Sequence, residues 1–172
     1  MRYVLAFLFL FQAGGALAGE KIKSGEVNFL AKGNPGFMKI EGQSSKGLSG
    51  ELDSAGGIGS FSFDLTAIET GIELRDEHMK EKYLEVKKHP RATLVLKSIE
   101  GFTGVGAKSK GTFTGILTLH GVSNEVSGTY EMGERKLLAK FPLKISDYKI
   151  DVPSWMGVTV ADSVDITVTS KF

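Results

Sequence analysis

From Gly25 onward apolar and polar side chains alternate in short runs punctuated by glycine, the pattern of an antiparallel sheet with one buried face. Val27 and Phe29 open it, Asn34-Pro35-Gly36 signals a turn, and Phe37, Met38 and Ile40 resume the apolar run. A short strand over 47–53 follows. The next is cleaner: Phe61, Phe63 and Leu65 share one face, with Ser60, Ser62 and Asp64 on the other. Ala92, Leu94 and Leu96 lie opposite Thr93, Val95 and Lys97. Phe113, Leu117 and Leu119 lie opposite Thr112, Thr114, Thr118 and His120, and Gly115 on the apolar side marks a bend or a close approach by another group. The turn at 121–124 leads to a hairpin partner over Val126–Met132. Leu137, Ala139, Phe141, Leu143 and Ile145 then alternate with a second set containing Pro142, which lacks an amide hydrogen and so sets this strand at an edge or a bulge. Residues 153–157, with Trp155 and Met156, read as a loop that either gates or plugs a barrel end, and Val164, Ile166 and Val168 point inward from a last strand.

One stretch has no strand pattern. Residues 70–90 are dense in charge, and 75–85 are rich in helix formers, with Gly71 able to turn the chain before them and Pro90 forbidding continuation after. The spacing therefore predicts about eight short antiparallel strands and one helix near residues 75–85, an all-β closed barrel or sandwich. Outside residues 1–18 there are 20 glycines, well above the usual ~7% of residues, which favours a strongly bent sheet and hence a barrel. Eight strands closed on themselves enclose either packed side chains or one small ligand.

The first 18 residues change the picture of where this domain works. Arg2, the apolar run 3–11 and the Ala16-Leu17-Ala18 site read as a secretory signal peptide cleaved after Ala18, since glutamine and glycines interrupt the run well short of the ~20 apolar residues of a membrane span. That leaves one domain, 19–172. Its 20 basic and 20 acidic residues balance, which disfavours nucleic acid and anionic membrane surfaces as partners. No cysteine is present, so thiol catalysis, thiolate metal sites and disulfides are excluded.

Two motifs carry a resemblance. Arg75-Asp76-Glu77-His78-Met79 followed by Tyr83-Leu84-Glu85-Val86-Lys87-Lys88-His89-Pro90, and Gly115-Ile116-Leu117-Thr118-Leu119-His120-Gly121-Val122, resemble the charged helix and the Gly-x-Leu-Thr-x-His-Gly-Val signature of the YceI-like family. The Thr70-Gly71 pair, the 147–150 stretch and the valine-rich C-terminus are similar as well. Tyr83-Leu84 stands where many members carry two aromatics, and His89 where tyrosine is common. The resemblance implies a lipocalin-like, extended eight-stranded antiparallel barrel in the periplasm, with an elongated apolar cavity for polyisoprenoids or other long amphiphiles. It implies no catalytic residue and no cofactor, and some members are dimeric.

The expected cavity wall is Phe29, Phe61, Phe63, Leu65, Leu94, Leu96, Phe113, Leu117, Leu119, Phe141, Leu143, Ile145, Trp155, Val164 and Ile166, although a filled core would present the same apolar pattern. The expected partners are a long-chain isoprenoid or lipid, a second copy of the chain, and envelope membrane proteins met transiently. Arg75, Asp76 and His78 could instead serve a lipid hydrolase or isomerase. The reading preferred here is that they pin the helix to the barrel end, because adjacent helix residues do not face each other and the three histidines fall on a helix, a pre-proline turn and a strand end. On that ground no metal site is expected. A ligand-free structural barrel is the third reading.

Overall fold

The computed structural model describes residues 19–34, 36, 38–53, 57–155 and 158–172, with the backbone alone of Asn34, Trp155 and Val158. The expected signal peptide, Met156 and the side chain of Trp155 lie outside the described residues. Eleven strand segments form one antiparallel sheet: β1 (Gly19–Lys21), β2 (Ser24–Asn34), β3 (Lys39–Ser44), β4 (Leu48–Asp53), β5 (Gly59–Asp64), β6 (Arg91–Ile99), β7 (Ser109–Leu119), β8 (Val122–Gly133), β9 (Lys136–Lys144), β10 (Ser154–Trp155) and β11 (Val158–Lys171). Ladders run β1-β4-β5-β6-β7-β8-β9-β11-β2-β3, and β10 pairs with β11.

The path curls back on itself through the N-terminal strand. β1 and β2 are one strand interrupted at two residues, because the Ile22 amide donates to the Gly50 carbonyl (2.9 Å) and the next amide, Lys23, donates to Lys171 on the opposite side (2.8 Å). β3 and β4 are likewise one strand: Lys21 faces Glu51 and Val27 faces Ser44, a register that carries across the break with a one-residue slip. Eight strand positions therefore surround the interior, as the alternation predicts. The additional segments are these two interruptions and β10.

Closure is uneven along the barrel. β4 pairs with β5, but among the described residues β3 meets the far side only where Gln43 and Glu69 exchange amide-to-carbonyl bonds of 2.8 and 3.0 Å. Into that opening goes the excursion between β5 and β6. It begins with a 3-10 turn over Leu65–Ala67, capped by the Asp64 carboxylate on the Thr66 amide at 3.0 Å, and continues as helix α1 (Glu73–His78) with a wide π-type turn, Met79–Tyr83.

The helical stretch is thus 73–83 rather than the expected 75–85. It starts earlier because Gly71, at φ +80°, turns the chain and Ile72 is still extended. It ends earlier because the Leu84 amide reaches back to Met79 and Glu85 enters the left-handed region at φ 44°. Pro142 sits where β9 is paired with β11 alone, its ladder to β8 ending at Lys140, so the missing amide hydrogen breaks no ladder. Gly115 lies against β6: a Cβ there would stand 2.7 Å from the Val95 carbonyl, next to the irregularity between Leu96 and Ser98.

The far end of the barrel is packed shut. Leu52, Tyr130, Met132 and Phe172 are buried there, the Tyr130 hydroxyl donates to the Glu100 carbonyl (2.9 Å), and Arg135 donates to Phe172 O (3.1 Å) and the Glu20 carboxylate (2.8 Å).

Candidate functional site: an apolar cavity and its polar rim

The inward faces of the strands enclose a cavity of about 840 Å³. Phe29, Phe61, Phe63, Leu94, Leu96, Phe113, Leu117, Leu119, Phe141, Leu143, Val164 and Ile166 line it, together with Leu65 and Ile145 at the ends of β5 and β9. All fourteen of the expected wall residues whose side chains are described therefore face one space. Period-two alternation produces this arrangement, since residues two apart in a strand share a face. Phe113 and Phe141 meet edge to face with centroids 5.9 Å apart.

The helical stretch supplies wall that the alternation does not reveal. Met79, Tyr83 and Leu84 line the cavity, with Ile72 and Leu74 at 53% and 58% exposure on its rim beside exposed Met38. These exposed apolar groups mark the mouth. Met79 and Tyr83 stand four apart, a helical spacing present in the sequence beneath the charge of that segment. Leu137, Ala139 and Val27 line the cavity too, in phase with Phe141 and Phe29.

Charge at this site has one sign. The charged side chains on the lining are Lys39, Arg75 and Lys82, with His78 as a further titratable group and no carboxylate among the described lining residues. Deep in the pocket one polar atom, Ser170 Oγ, is buried with no hydrogen-bond partner among the described residues.

The helix start is fixed by Arg75 and Asp76. Arg75 Nε donates to Thr70 Oγ1 (2.8 Å) and an Nη donates to the Thr70 carbonyl (2.7 Å), while Asp76 Oδ1 accepts from the Thr70 amide (2.8 Å) and hydroxyl. Both residues pin the helix. His78 does not share in this pinning and lies exposed on the rim, which corrects the expectation that all three act together. Asp76 Oδ1 is committed to Thr70, and among the described residues no hydrogen bond joins Asp76 to His78.

A second polar cluster lies where the excursion rejoins the barrel. His120 Nδ1 lies 3.0 Å from the Tyr148 carbonyl and its Nε2 lies 3.0 Å from Glu85 Oε2; the rings of His89 and His120 meet edge to face at 4.9 Å. This corrects the reading of the histidines as scattered, because the fold brings a pre-proline turn and a strand end together across 31 residues. Lys88 and then His120, bonded to Glu85, hold its carboxyl below the usual range.

A profile of the YceI-like domain matches residues 22–172. The chain belongs to the YceI-like family. Solved structures with the same fold include a polyisoprenoid-binding domain from Saccharophagus degradans implicated in plant cell wall breakdown, at 17% identity over 88% of this chain and 97% of that one, TM-score 0.64. BcnA of Burkholderia cenocepacia is 22% identical over 85% of this chain and 94% of its own, TM-score 0.65. A YceI protein of Campylobacter jejuni is 19% identical over 77% and 85%, TM-score 0.57. No curated protein matches the chain. The two motifs that suggest the YceI-like family lie at the polar rim: the first spans α1 and the loop after it, and the second forms the end of β7, with His120 in the turn.

Proposed function

We propose that this YceI-like protein is a periplasmic binding protein that holds a long-chain apolar ligand, a polyisoprenoid, an isoprenoid quinone or a fatty-acid-like amphiphile, for transport, storage or sequestration without covalent chemistry. The observation that carries this is the cavity itself, about 840 Å³ walled by apolar side chains from strands and helix alike. That volume falls in the upper part of the ~300–1,000 Å³ typical of small-molecule sites. Burying an alkyl or prenyl chain contributes ~0.8 kcal/mol per methylene, so about 20 carbons give roughly 16 kcal/mol gross against an association cost of ~4–15. Tight or weak binding follows without an ion pair. The cationic rim favours a head group that is polar or negatively charged. The likeness to a polyisoprenoid-binding domain supports the ligand class, and the commitment of Asp76 to Thr70 argues against the hydrolase or isomerase reading.

The test is native mass spectrometry and solvent extraction of protein purified from its own host. A long-chain amphiphile recovered unchanged after prolonged incubation is the expected result. A cleaved or isomerised product that vanishes in His78→Ala would establish an enzyme instead, and a dry, empty extract would establish a structural barrel. Export is checked separately: the mature chain should begin at Gly19 in the periplasmic fraction, and an intact N-terminus in the membrane pellet would overturn that part.

A further inference from the structure

Glu85, His89 and His120, each half-buried, place one carboxylate oxygen and two imidazole nitrogens all within 4.8 Å of one another. We propose that these three side chains bind a divalent transition-metal ion of the zinc class, at a site separate from the lipid cavity, none of the three being on its lining.

The argument starts at His120. Its Nδ1 faces the Tyr148 carbonyl, which only accepts, so Nδ1 carries the hydrogen and Nε2 is left with a lone pair in the neutral ring. Glu85 Oε2, a second acceptor, stands 3.0 Å from that nitrogen, so without an ion the contact is the hydrogen bond of a protonated ring and with one the ion takes the proton's place. Two acceptors at this distance require a proton or a cation shared between them. A backbone carbonyl orienting the far ring nitrogen is also how metal-binding histidines are commonly held, since it fixes the tautomer and strengthens the donor.

Geometry suits the ion. Ligand atoms bonded to tetrahedral zinc at about 2.0–2.2 Å stand roughly 3.3 Å apart, close to the Nε2 to Oε2 distance, and a small side-chain adjustment of His89 closes the third side. Two nitrogens and one carboxylate favour zinc or a neighbouring transition metal over magnesium or calcium, which prefer all-oxygen shells. Three protein ligands leave a fourth position for water.

The surroundings hold the ligands in place. Glu85 uses its other oxygen, Oε1, for Lys88 Nζ, so the ammonium fixes the carboxylate without occupying the ion's side, and Lys88 is itself 68% exposed. Glu85 and His120 both adopt left-handed backbone, φ 44° and 50°, which is uncommon outside glycine. His89 packs over Gly121, where a Cβ would stand 2.8 Å from its Cε1. An ion here joins the loop that ends the helical excursion to the β7–β8 turn and to the turn at Ile145–Tyr148.

The experiment uses the full mature protein stripped with a chelator, then titrated with Zn²⁺ by calorimetry and with Co²⁺ by visible absorption. One ion per chain with a tetrahedral cobalt spectrum is expected, and zinc should raise the melting temperature. Glu85→Gln and His89→Phe should each weaken zinc at least tenfold and abolish the zinc-induced rise. Their melting temperatures in chelator report whether the fold is retained. Binding that never saturates at one ion per chain, or one ion held equally well by both variants, would overturn the site. Neither result depends on what the cavity holds.

Discussion

The two ends of this barrel are built from the same alternating strands and differ in what happens to the strand edges. At the closed end β1 lies on β4, and Arg135 ties the C-terminal carbonyl to Glu20, so the ring is continuous and Leu52 is wholly buried. At the open end no strand among the described residues lies beyond Gln43, and a charged helical segment takes that place with Ile72 and Leu74 exposed. The same inward apolar pattern thus gives packed core where the ladder closes and cavity wall where it does not. Alternation specifies a face, and closure decides what the face touches.

The sharpest way to break this contrast is at Leu52. Leu52→Ala removes methylenes from a packed site and should cost roughly 2–5 kcal/mol, on the order of 10 °C in Tm, read by thermal melting. Leu117→Trp probes the wall instead. If its added volume enters the cavity, Tm of the ligand-free protein stays near normal while lipid capture falls at least tenfold, whereas in a filled core overpacking would cost ~1–3 kcal/mol. Early melting with normal capture would place Leu117 in ordinary core.

Asp76→Ala should act locally. Losing the two Thr70 contacts to a charged acceptor, worth ~1.5–3 kcal/mol apiece in favourable settings, should speed amide exchange across 72–83 about tenfold with little change in global Tm. Uniform acceleration across the barrel would show that the helix is not an independent unit.

The smallest effect concerns acid. Hydrogen bonding and charge from Arg135 lower the Glu20 pKa from its ordinary 4.5, and bonds from Thr66 and Ser146 lower Asp64 and Asp162 from 3.8. A carboxyl whose folded value is depressed contributes stability that is present above its unfolded value and is lost as pH falls through the folded one. Tm should therefore decline below about pH 4.5, and Glu20→Gln should flatten that decline at the closed end, as Asp162→Asn should at the open end. None of the three groups is buried, so solvent screening keeps each contribution small.

Strand positions and the inward face were legible because side-chain direction in a strand follows from position alone, which is why Phe61, Leu117 and Ile166 could be placed together before any contact was known. The helix was legible as an element, but its lining residues were not, since Met79 and Tyr83 are apolar minorities among charges. The Glu85–His89–His120 cluster was hidden for another reason. Its members meet only because β6 and β7 pair and return residues 89 and 120 to one end, and ladder partners of this kind are set by the whole sheet.

The opening that admits the helix also leaves part of β3 as an edge. Barrels escape strand-on-strand association because they have none, and an exposed edge invites another chain to add a strand. Here the residues on either side of Ile40 in β3 are Lys39 and Glu41, both exposed. A charged side chain on an edge discourages a further strand from docking, so this barrel can stay open at one end without recruiting neighbours there into a continuous sheet.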